Sequence, residues 1–401
     1  MTPGDEAITC PFDFSEGLEF DPALAALMDR DAIARIRLPY GDGDAWLVTG
    51  FEGVQKVTTD HRFSRAAIVD HDYPRLTPEP IVSTESINVM DPPYSSRLRR
   101  LASQAFTQRQ VDGMRARISR LADTLLDGMA AEGPGADLVR HLSDPLPQHT
   151  IFDFFGIPRD DWARMRQNLQ HLLATGPDSR ETAATAKAEL RAYFVDMVEQ
   201  RRRTPRNDLI GALVAAKVGE DTLDDQEIAV MALTLTLSGQ DTATCQISNI
   251  AYLLLTRPEL MKRLTSRPED LPAVLNEMLR VIPFRKGVGI PRVALEDVEL
   301  DGVQIRKGDF VHVSYLTANR DPERYPEPDL IDPDRPALAH MTFGWGGHRC
   351  IGVPLAMAEL EVAVGRLLER FPGLRLAVSP EEVRWDKGTI RRFPIELPVT
   401  W

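Results

Sequence analysis

Residues 341–360 read M-T-F-G-W-G-G-H-R-C-I-G-V-P-L-A-M-A-E-L. One cysteine, Cys350, stands at the centre, with Gly344, Gly346, Gly347 and Gly352 around it. Glycine lets a backbone turn tightly and lets a large flat object come close. The run that begins at Val353, V-P-L-A-M-A-E-L-E-V-A-V-G-R-L-L-E-R, has helical spacing and strong helix formers. Cys350 is therefore predicted to sit in a glycine-built loop directly ahead of a helix. A helix N-terminus favours a thiolate through its dipole and free N–H groups. A thiolate held that way is a good ligand for haem iron, where it favours O–O cleavage. Zinc fits less well, because His348 and Cys350 have no second Cys/His pair at ligand spacing and structural zinc wants four ligands.

The rest of the chain sets outer bounds. Its 401 residues, 43% hydrophobic and 27% charged, are those of an ordinary globular protein with room for a large core. A formal net charge of −13 argues against general nucleic-acid affinity. The three cysteines, Cys10, Cys245 and Cys350, are far apart, so no disulfide framework is expected. That usage points to a reducing compartment, the cytoplasm. The opening M-T-P-G-D-E-A-I-T-C lacks a basic region followed by an apolar core, so neither signal peptide nor anchor is expected.

A second pillar is 222–256. Thr222-Leu223-Asp224-Asp225 reads as a capped helix start, and between Ile228 and Thr256 the only charged residue is Asp241. About 20 apolar residues would suffice to cross a membrane. Ser238, Gln240, Thr242, Thr244, Gln246, Ser248 and Asn249 make this run too polar for that. It is instead predicted to be a helix buried all round, through the middle of the protein. Its one carboxylate is costly to bury without a partner or a task.

Elsewhere the signals are local. Residues 34–38 and 45–49 flank G-D-G-D, a hairpin signal, and 51–60 reads as a short helix. Residues 63–90 form a long irregular stretch, and such a loop in a compact domain is usually functional or disordered. A helix after Asp91-Pro92-Pro93 carries Arg97, Arg99 and Arg100. Helices are expected over 114–131, 158–174, 180–203 and 207–218, with Gly176-Pro177 as a breaker. Glu277 and Arg280 share one face of a helix over 272–280, a spacing that by itself implies only a local ion pair. Short strands are expected over 288–293, 298–313 and from 374 to 401.

Taken together, these motifs resemble the cytochrome P450 family. The order F-G-x-G-x-H-x-C-x-G from Phe343 to Gly352 is similar to its haem-ligand signature, and S-G-Q-D-T-A around Asp241 to its oxygen-activation motif. Glu277 and Arg280 lie about seventy residues ahead of Cys350, where the family has its core E-x-x-R, with Arg335 as the third partner. D-P-P-Y-S-S-R-L-R-R-L resembles the helix that approaches the haem from the thiolate side. Two positions depart from the pattern, with Ser95 where a histidine is common and Met357 where many bacterial members have arginine. The resemblance spans the chain and implies one domain, 1–401, mainly α with a small β-rich lobe near 30–60, 285–315 and 374–401.

The resemblance also implies roles. Cys350 would ligate the iron of haem b (iron protoporphyrin IX), shielded by Phe343, with Gly352 beside it; Arg99, Arg292 and His348 would hold the propionates. Gly239 would let oxygen lie against the backbone, and Asp241 and Thr242 would relay protons. Val82, Ile87, Leu237, Ser238, Val288, Gly289, Ile290, Thr389 and Ile390 would shape the substrate pocket. The implied activity is that of a soluble bacterial haem-thiolate monooxygenase. It would use O2 and two external electrons to oxidise a small organic substrate of bacterial secondary metabolism. No flavin or nicotinamide fingerprint occurs, so electrons would come from a ferredoxin or flavodoxin with its reductase, docking near Arg97, Arg100 and Arg349. Alternatives from the sequence are a peroxide-driven relative, which typically lacks an acid–alcohol pair like Asp241-Thr242, and a non-enzymatic haem-thiolate sensor. A further alternative is oxidative C–C or C–N coupling of aromatic substrates such as tryptophan-containing cyclodipeptides.

Overall fold

The computed structural model describes residues 7–10, 12–14, 16–30, 32–82, 84–106, 108–336 and 338–401. Residues 1–6, on which the expectation of no leader partly rests, lie outside them.

The helix Asp225–Thr256, 32 residues long, is the axis of the molecule. Its start is fixed locally: the Asp224 side chain accepts the Glu227 N–H, and Glu227 reaches back to the Asp224 N–H. Its flanks are covered by Arg180–Arg203, Pro145–Phe155 and Val353–Arg370. Ile228, Ala229, Ile247, Ser248, Asn249 and Ile250 are buried on it, which is why the sequence there carries so little charge.

A six-stranded sheet forms the smaller lobe. The predicted hairpin is present, Ile33–Arg37 antiparallel to Ala45–Val48. Gly41 (φ 88°) turns it, and a Cβ there would strike the Tyr73 carbonyl. Phe310–Val313 lies parallel to Ala45–Val48, then Arg292–Ala294 and Phe63–Ser64 follow antiparallel. The other edge is Ile8–Thr9.

Several boundaries move. The predicted helix 207–218 shortens to Leu209–Ala215, because Asp208 caps it and Lys217–Val218 turns into a hairpin with Asp221–Thr222. The predicted strand 288–293 is Arg292–Ala294 only. The tail was expected to belong to the β-rich lobe. It contributes instead the pair Arg375–Leu376 and Val399–Thr400, tied by Gly135 and Leu138 to the helical side. Pro22–Arg30, Pro145–Phe155 and Pro258–Ser266 are helices that the sequence reading missed. Pro145 and Pro147 hide the second of these from propensity, yet it is almost wholly buried.

Candidate active site

A cavity of about 420 Å³ opens between the central helix, the 63–90 loop, the 284–290 segment and the cysteine loop. Of the residues expected from the sequence, Val82, Ile87, Leu237, Ser238, Gly239, Thr242, Val288, Gly289, Ile290 and Ile390 line it. Arg99, Phe343, His348, Cys350 and Gly352 line it as well. Thr389 does not: its hydroxyl is turned to Asp386 and its backbone pairs with Ala174. The next side chains, Ile390 and Arg391, face inward in its place.

The cysteine loop is held by its own backbone and by the helix Phe51–Thr59. The Cys350 N–H donates to the Phe343 carbonyl at 2.8 Å. Gly346 is required by packing: at φ 67° a Cβ would sit 2.3 Å from the Thr58 carbonyl oxygen. So part of the glycine pattern serves docking of the loop rather than access for a flat ligand. Cys350 is free, and the sulfur surface it exposes is cavity wall. Burial pushes its thiol up, opposed by the Gly352 N–H and by Arg99 and Arg349. The helix Val353–Arg370 does begin directly after it, as expected.

Around His348, on the cavity wall, is a group of buried side chains with unmet hydrogen bonds; Arg292 belongs to it although it is not itself a lining residue. Arg292 is 2% exposed, and both its terminal nitrogens are buried without a partner among the described residues. The Nδ1 of His348 and the Nε of Arg65 are in the same condition. Burial, then Arg65, Arg292 and Arg99, push His348 down to about 2, so it stays neutral. Burial and Arg292 likewise bring Arg65 down to about 9. Arg65 was not among the residues expected. It lies in the irregular loop, its Nη1 bound to the Asn88 carbonyl at 3.1 Å, and nothing local marks it. Arg99 donates to the Arg349 carbonyl. Ser95, at the departure noted above, is buried.

On the central helix the acid–alcohol pair is split. The Thr242 hydroxyl donates to the Ser238 carbonyl at 2.5 Å and faces the cavity. Asp241 points elsewhere and accepts from Arg391 Nε, so the one carboxylate of this helix has a partner in the C-terminal tail. Gly239, which lines the cavity, also has a packing role. A Cβ there would lie 2.8 Å from Ile151 Cδ1, so the glycine lets Pro145–Phe155 pack closely on the helix.

Away from the cavity, Arg280 meets Glu277 at 2.8 Å (Nε) and 2.9 Å (Nη2), and Arg335 Nε reaches the same carboxylate at 3.2 Å. Of the three arginines expected on a docking face, Arg97 is not available. It is held by Asp221 (2.8 Å) and Glu227 (2.6 Å), which tie its helix to the start of the central one. Arg349 is exposed, and Arg100 is largely so, 3.5 Å from Asp221.

Known proteins are similar to this chain over nearly its whole length. Residues 41–266 and 270–387 match the family described as Cytochrome P450. The mycinamicin IV hydroxylase/epoxidase of Micromonospora griseorubida is 41% identical over 391 residues, 98% of each chain. Biflaviolin synthase CYP158A1 of Streptomyces coelicolor is 40% identical, over 96% of this chain and 94% of that one. The crystal structure titled cytochrome P450mel 107F1 with biaryl coupling reactivity superposes with a TM-score of 0.97 at 55% identity, covering 99% of this chain and 100% of that one. The chain belongs to the cytochrome P450 family, in its bacterial branch, and has its fold, mainly α with a small β region. It is an oxidoreductase of the monooxygenase type. Among the described residues no helix is long and apolar enough to cross a membrane.

The family works with a haem whose iron is bound by a cysteine thiolate. The residues here fit such a group: one sulfur faces the cavity, and buried Arg292 and His348 carry donors with no protein acceptor. A dianionic edge is what those donors lack.

Proposed function

We propose that this enzyme inserts oxygen into a small, largely apolar molecule of bacterial secondary metabolism, with haem b bound through Cys350. Arg65, Arg99, Arg292 and His348 would hold its two propionates, Arg65 supplying a donor that Ser95 does not. When bound, the haem supplies the oxygen-activating, one-electron chemistry. The observation that carries this reading is one cavity whose lining includes both Cys350 and Thr242.

The chain's own residues do the rest. Gly352 N–H, Arg99 and Arg349 favour the sulfur anion. Thr242 Oγ1, now donating to Ser238, can turn its proton toward the cavity, and Asp241 at the next position can exchange protons with solvent once Arg391 releases it. Leu172, Leu173, Leu237, Val288 and Ile390 exclude water and bind the substrate body. Electrons would arrive from a ferredoxin or flavodoxin and its reductase at the face of Arg100 and Arg349. Free cysteines support a cytoplasmic setting. The test is to reconstitute with a surrogate ferredoxin, reductase and NADPH, and to follow oxygenated product across a compound panel. NADPH oxidation without any product from any compound would sink this reading.

A second reading has specific support. The biaryl-coupling enzyme is 55% identical over nearly the whole chain. Joined dimers of an aromatic substrate, with no oxygen from O2 incorporated, would select coupling over insertion.

A further inference from the structure

One strongly basic side chain has no part in the account so far. Arg285 lines the cavity, and its guanidinium makes no hydrogen bond among the described residues, with Nε buried. Its backbone pairs with that of Arg391 in an antiparallel bridge, so the two arginines stand side by side by the central helix. Arg391 uses its Nε on Asp241, and its terminal nitrogens have no partner among the described residues. Asp241 thus answers one of the two guanidiniums, which leaves the positive charge of Arg285 over. Burial, then Arg391, brings Arg285 down to about 10, so it remains charged at neutral pH. The same cavity is also lined by the apolar side chains of Leu172, Leu173, Val288 and Ile390. A buried cation without a partner is unfavourable, and it is tolerated where a ligand brings the missing anion.

We propose that Arg285, with Arg391 beside it, recognises one acidic group, a carboxylate or an ionised phenol, on a substrate whose remaining body is apolar. This deepens the monooxygenase reading and rests on it for the meaning of "substrate". The charge would orient the molecule, with its acidic end at the arginines and its apolar body across the floor of the cavity. Charge-assisted hydrogen bonds made by an otherwise unpaired buried charge are strong, so discrimination of about tenfold or more between an acid and its neutral amide is expected.

The test is calorimetric titration of haem-loaded protein with cinnamate, cinnamamide and, above neutral pH, para-nitrophenolate. Wild type should prefer cinnamate to cinnamamide by at least about tenfold. Arg285→Gln should erase that preference while haem stoichiometry persists, and Arg285→Lys should keep most of it. Para-nitrophenolate binding as well as cinnamate would mean the site takes either acid; weaker binding would narrow it to carboxylates. Equal binding of acid and amide to wild type overturns the proposal. So does a preference that survives in Arg285→Gln, or a loss of haem there with the preference intact, since Arg285 would then serve the prosthetic group. Selective binding of cinnamate by a protein that oxidises nothing would leave this site standing and remove the monooxygenase reading.

Discussion

Two clusters of buried charge in this chain are built in opposite ways. Around Glu277 the partners are complete. Arg280 donates twice to its carboxylate and also to the carbonyls of Asn319, Pro328 and Leu330 at 2.6–2.9 Å, and Arg335 closes the other side. Around Arg292 they are missing: two terminal nitrogens, His348 Nδ1 and Arg65 Nε are buried with no acceptor. Folding alone gives no reason for the second arrangement, since each unmet buried donor costs about 1–3 kcal/mol. A closed cluster reads as scaffold, and an open one as a place where a ligand completes the set.

The largest effect should come from opening the closed cluster. Glu277→Ala leaves two buried guanidiniums facing each other, at a cost of about 3–5 kcal/mol. Denaturant unfolding should show that loss together with poor haem incorporation. A variant as stable as the parent would erase the contrast. Next comes the pair on the central helix. Asp241→Asn should lower turnover by about 10²–10⁴-fold while haem and substrate still bind. Thr242→Ala should keep NADPH use and divert it to hydrogen peroxide, read as peroxide released per NADPH. If both stay fast and coupled, the proton route lies elsewhere.

Opening an already open cluster should do something different. Arg292→Gln removes a cation with no protein partner, so the haem-free protein should be no less stable. Its hold on haem should weaken by about tenfold or more, measured by transfer to apomyoglobin. A stability loss in the haem-free protein, with haem retention unchanged, would make Arg292 scaffold as well. The smallest effect is expected outside. Arg100→Glu should slow reduction by the partner severalfold and flatten its salt dependence, because steering by exposed charge is screened. Arg97→Gln should act on stability instead, since Arg97 is bound to Asp221 and Glu227.

The sequence was most informative where the signal is local. The Cys350 loop, the capped start at Asp224, the hairpin at 33–48 and the E-x-x-R face all rest on neighbours within a few residues. Arg65, Arg285 and Arg391, three of the four cavity-wall arginines not singled out from the sequence, were missed for the opposite reason. They lie in irregular segments, and their meaning comes from partners far along the chain, as with Arg391 and Asp241, 150 positions apart. Asp241 itself looked like a lone carboxylate because its counter-charge is in the tail. The packing role of Gly239 was not legible because Ile151, the side chain it admits, lies on a helix disguised by two prolines. The tail misled in another way: strand-like alternation was visible, but which layer it joins is decided by contacts with Gly135 and Leu138.

The central claim is that Cys350 is the sulfur ligand of a haem in this cavity. The most direct measurement is the absorption spectrum of the reduced, carbon-monoxide-bound protein. The wild type should show the long-wavelength Soret band of a thiolate-ligated haem, Cys10→Ala and Cys245→Ala should keep it, and Cys350→His should lose it. Loss of the band in either of the first two variants, or its survival in Cys350→His, would contradict the account.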